Sequence, residues 1–179
     1  MTYIGEASLI RLSEAYARHV ARVSVDTSRP SSGRHFPAYV LTNHELAVAE
    51  IVSVTEHFST GRLQELQPTI SDRDLSSWFA RNRVWRETEQ IDVEDQTQFP
   101  DWPVVLGFVE ARNAIQHGLG SLTRRQLSPR YRASVLNALV AAQVRLSGSR
   151  IVLTDQAVAT CFRHCSAFVL SMDIRARTP

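Results

Sequence analysis

PVVLGFVEARNAIQHG, residues 103–118, carries its apolar side chains at helical spacing. Val104, Phe108, Ala111 and Ile115 recur every three to four residues, the pattern of one buried helix face. Pro103 suits the first turn of such a helix and Gly118 its end. With Arg112 at zero on a helical wheel, the apolar set falls at about 260–320°, Asn113 at about 100° and His117 at about 140°. Arg112 then lies at the edge of the buried stripe, and Asn113 and His117 project from another side. Val105 and Val109, at about 20° and 60°, interrupt the polar arc and predict that this face meets a partner surface.

The rest of the chain supplies companion helices. Leu9, Leu12, Tyr16, Val20 and Val23 predict a helix over 7–23, and SRPSSGR (28–34) reads as a loop. A second helix starts near Asn43, which can cap it, buries Leu46, Ala49, Val52 (or Ile51) and Phe58, and stops near Gly61. A third begins around Ser71 and turns Leu75, Trp78, Phe79 and Trp85 inward. After residue 118 come a short helix at 131–139, a hairpin in AAQVRLSGSRIVLT (141–154) and a last helix capped by Thr154. The expected fold class is mainly α: one helical-bundle domain over 1–179 with a small C-terminal β-hairpin.

Composition excludes several classes. No apolar run reaches the roughly 20 residues that span a bilayer, and the N-terminus lacks the basic start of a signal peptide, so a cytoplasmic location without membrane contact is expected. Cys161 and Cys165 sit four apart on a helix, a packing arrangement with no disulfide framework. The histidines at 19, 35, 44, 57 and 164 fall on different elements and none pairs at metal-ligand spacing; no metal and no cofactor are expected.

Charge is segregated. All 20 basic residues are arginine, each a planar fork suited to phosphate. Six acids and no arginine lie between Glu87 and Asp101, within an acidic connecting segment at about 87–103 that Trp102 anchors. Seven arginines and no acid lie between Ala111 and Thr154, which predicts a local positive field. If the acidic segment lay over the basic block, it would mimic RNA phosphate there.

These residue types fit the cleavage of RNA. The 2′-hydroxyl is a nucleophile beside the scissile phosphate, and imidazole, with an unperturbed pKa near 6.5, is suited to move its proton. Guanidinium stabilises the charge gathering on phosphorus through two parallel hydrogen bonds. An amide such as Asn113 can orient the imidazole or bind a phosphate oxygen.

In RNAIQH, Arg112 and the polar Asn113 are followed after three residues by His117, late in a helix of a small bundle. In this the chain resembles the HEPN superfamily, from about Asn43 onward. The resemblance implies a metal-independent endoribonuclease with Arg112, Asn113 and His117 as catalytic residues. It further implies a homodimer with a composite site, 2′,3′-cyclic phosphate ends, and a role as a bacterial toxin or phage-defence effector. Arg124 and Arg125 are candidates for holding the RNA backbone. The alternative is a non-catalytic HEPN module that binds RNA or docks on a partner enzyme, such as a nucleotidyltransferase, or on an antitoxin.

Overall fold

The computed structural model describes residues 1–26 and 41–176. The 28–34 loop and His35 lie outside the described residues. Seven helices and one hairpin follow in the order α1 (Tyr3–Asp26), α2 (Asn43–Leu66), α3 (Asp72–Leu75), α4 (Trp78–Glu89), α5 (Trp102–Gly118), α6 (Arg132–Ala141), β1 (Arg145–Ser147), β2 (Arg150–Val152) and α7 (Asp155–Arg175). The mainly α class with a small C-terminal hairpin is therefore observed. Among the described residues no helix is long and apolar enough to cross a membrane.

Helix α2 is the hub, packing on α1, α4, α5 and α7. Its start is fixed by Thr42, whose hydroxyl accepts from the Glu45 amide while Glu45 accepts from the Thr42 amide. The cap is thus one residue earlier than expected. The helix runs on past Gly61 because that glycine serves packing: a Cβ there would meet Ile4 Cδ1 of α1 at 2.3 Å. Its inward face carries Ala47, Val48, Ile51, Val52 and Phe58, whereas Leu46 points outward. The expected third helix is broken. Ser77 restarts it as the N-cap of α4, accepting from the Ala80 amide, and the restart turns Trp78 inward and leaves Phe79 80% exposed.

The acidic connection between α4 and α5 is an ordered run of turns. Asp95 accepts hydrogen bonds from the Thr97 amide and hydroxyl and from the Gln98 side chain. These bonds hold its carboxyl below the ordinary range. Beneath it Ile91, Val93, Phe99 and Trp102 are buried. Trp102 meets Trp78 and Phe168 at ring-centroid distances of 5.3 and 5.4 Å. The segment reaches α7, where the Arg175 guanidinium stacks over Phe99 and donates to Gln98.

Cys161 and Cys165 are free and buried, as packing residues. Burial raises the Cys161 thiol well above its ordinary value, followed by its contact with Cys165.

Candidate ribonuclease site on helix α5

Helix α5 touches α2, α6 and α7, and this sets which of its faces stay open. Gly107 lies so close to α6 that a Cβ would meet the Ala138 carbonyl oxygen at 2.1 Å. Val105 is 0% and Val109 4% exposed. Both belong to the core of this chain and do not form a partner surface. The expectation that they mark a dimer face is corrected here. Apart from exposed Gln116 in the last turn, the covered arc of α5 spans from about 200° at Ala114 through zero to about 80° at Trp102, because the helix is packed on more than one side.

Arg112 accordingly stands within the buried arc. Its side chain is 14% exposed and ion-paired with Glu56 of α2. The other Glu56 oxygen takes Nη2 of Arg81, on α4, at 3.3 Å. One carboxylate thus bridges two guanidiniums that burial would otherwise leave unpaired. Arg81 also donates from Nη1 to the Leu75 carbonyl at 2.7 Å and stacks over Trp78. Burial lowers the pKa of both arginines, Arg81 to about 10, which leaves both charged at neutral pH. Arg112 Nη1 donates to Asn113 Oδ1 at 3.3 Å, so the guanidinium is fixed from two sides. Glu56 was not anticipated from sequence. Its only signal there was an acid on a helix that also buries apolar residues.

His117 is exposed on the open arc and makes no hydrogen bond or ion pair among the described residues. Asn113 and Glu110 share that arc, at about 100° and 160°. Arg112 and His117 are separated by about 140° around the axis and about 7.5 Å along it. A single copy therefore brings Arg112 and Asn113 together but does not converge Arg112 and His117 on one phosphate.

Beyond His117 the chain turns back sharply. The left-handed cap falls on Leu119 (φ 50°) and not on a glycine, with Gly120 following at φ 82°. The returning loop is clamped by Gln126, which is buried. Its amide donates to the Glu110 carbonyl at 2.9 Å and to the Glu110 carboxylate at 2.6 Å, while its carbonyl oxygen accepts from the Thr123 amide and hydroxyl. Glu110 lies two turns before His117 on the same side, so the clamp fixes to this helix the loop that carries the exposed Arg124 and Arg125. Arg125 and Arg130 both lie over the Tyr131 ring, at 5.1 and 5.2 Å. The hairpin is tied in as well: Ile151 donates to the Gly120 carbonyl, and Ser121 bridges to Arg150. Arg125 and Arg130 thus share one ring and Arg150 pairs with Ser121 just past α5, and all but Arg112 of the seven arginines are exposed.

At the opposite end of the helix, Asp101 Oδ1 meets His164 Nδ1 of α7 at 2.6 Å, tying the start of α5 to the bundle. Comparison with protein-family models, with curated proteins and with solved structures found no match.

Proposed function

We propose that the chain is a metal-independent endoribonuclease of HEPN type, acting as a homodimer with a composite site. The observation that carries this reading is a guanidinium fixed by Glu56 and Asn113 on the same helix as an exposed, unengaged imidazole. Two α5 helices with their open arcs face to face would bring two His117 and two Asn113 side chains to one seam, which Arg112 would reach by leaving Glu56 for a phosphate.

In the reaction His117 accepts the 2′-hydroxyl proton as the oxygen attacks phosphorus. The bond from phosphorus to the 5′-oxygen breaks, and that oxygen takes a proton from water as it leaves, the His117 imidazolium returning its own proton to the solvent. The products are a 2′,3′-cyclic phosphate and a 5′-hydroxyl. Arg112 stabilises the phosphorane charge, and Asn113 keeps it aimed. Arg124 and Arg125 hold the flanking backbone, a contact that weakens with salt.

A toxin or phage-defence role in the cytoplasm follows from the same reading, with an antitoxin as the restraining partner. Expression of the wild type in a bacterial host is expected to arrest growth and fragment RNA, whereas His117→Ala leaves both intact. Indistinguishable outcomes would remove the nuclease reading.

One observation favours a second reading. Glu56 already neutralises Arg112, which suits a HEPN module that docks on RNA or on a partner enzyme such as a nucleotidyltransferase without cutting. In that case His117→Ala changes nothing and removing Arg124 and Arg125 weakens binding.

A further inference from the structure

We propose that His19, His44 and Asp155 form a site for a divalent transition-metal ion of the zinc type. The three residues come from α1, the first turn of α2 and the first residue of α7, and their donor atoms all lie within 4.8 Å of one another. Nε2 of His19 and Nε2 of His44 each stand 3.0 Å from the same oxygen, Oδ1 of Asp155. With zinc bonds of 2.0–2.2 Å, tetrahedral neighbours sit about 3.3 Å apart, so each imidazole needs to shift from Asp155 by only a few tenths of an ångström, and the two imidazole nitrogens, within 4.8 Å of each other, draw to that same spacing.

The imidazole of His19 is 3% exposed, and Nε2, directed into this cluster, is its one partnered ring nitrogen; Nδ1 is buried without a hydrogen bond. The two rings are tilted by 53° with centroids 5.4 Å apart, so they converge by their edges and do not stack. Asp155 is 66% exposed, which leaves the outer side of the cluster open for water as a further ligand. Two imidazoles and one carboxylate suit zinc and its congeners, whereas magnesium and calcium prefer all-oxygen sites.

The expectation that no histidines pair is corrected by this cluster. Its members lie far apart in sequence, so no spacing announces them. His44 and Glu56 are twelve residues apart on α2, roughly 18 Å along the helix, so this ion is remote from Arg112 and pins α1, α2 and α7 together.

The test uses tag-free full-length protein stripped with chelator and titrated with cobalt(II), zinc(II) or magnesium(II) chloride. The site predicts visible cobalt absorption saturating at one equivalent, its displacement by zinc, and a zinc-dependent rise in Tm that magnesium does not give. His44→Ala and Asp155→Asn each lower cobalt affinity at least about tenfold, since losing a direct ligand costs no less than losing its supporting partner. Both positions are accessible, so neither variant empties the core as His19→Ala would. Absence of cobalt absorption in the wild type, or wild-type affinity in His44→Ala, overturns the site.

Discussion

Arg112 and Glu56, from different helices, form an ion pair inside the bundle, and the same carboxylate also holds Arg81. Removing Glu56 leaves two poorly solvated guanidiniums facing each other. Glu56→Gln is expected to cost about 1–3 kcal/mol, below the cost for a fully buried pair because the carboxylate is partly solvated. Urea unfolding of Glu56→Gln, Arg112→Gln and the double variant checks this. The double variant is expected to be more stable than the two single losses added together.

Gly107 lets the backbones of α5 and α6 touch. Gly107→Ala forces those helices apart and is expected to destabilise by about 1–3 kcal/mol despite the better helix propensity of alanine. The readout is the urea midpoint at unchanged m-value.

Asp95 accounts for a pH effect at the acid end. Hydrogen bonds from Thr97 and Gln98 keep its folded carboxyl below the ordinary value, so the unfolded chain binds that proton more readily. The stabilisation is fully present above the unfolded value of about 3.9 and is lost as pH falls through the lower folded value. An NMR titration of the Asp95 carboxyl should give a midpoint below about 3.9, returning toward it in Thr97→Ala.

Buried Cys161 and Cys165 are expected to be inert toward thiol reagents in the native protein and to react fully in denaturant, because burial bars the reagent from both and keeps Cys161 as the thiol.

Arg124 and Arg125, exposed in the loop that Gln126 clamps to Glu110, should act on RNA as phosphate contacts. Replacing both with Gln is expected to weaken binding across sequences and flatten its salt dependence, without changing Tm. Salt titrations of RNA affinity test this.

The helices, the Thr154 cap, the hairpin and the Trp85 and Trp102 anchors were legible in the sequence because each rests on local spacing or capping. What escaped was tertiary. Val105 and Val109 looked like an outer face because a wheel assumes one buried side, whereas α5 is enclosed on several. Phe79 changed places with solvent because two serines reset the helical phase. Glu56 and the His19–His44–Asp155 cluster depend on contacts between distant helices, which no spacing encodes. Within the candidate site, the wheel correctly separated Asn113 and His117 from the core but set Arg112 at its edge, when it lies inside.

The central claim is that Arg112 and His117 cut RNA. Purified wild type and His117→Ala, matched in Tm and oligomeric state, are incubated with RNA in chelator and the new ends are analysed. The account predicts 2′,3′-cyclic phosphate and 5′-hydroxyl ends from the wild type and none from His117→Ala. Equal cleavage by the two proteins, or no cleavage by either, would contradict it.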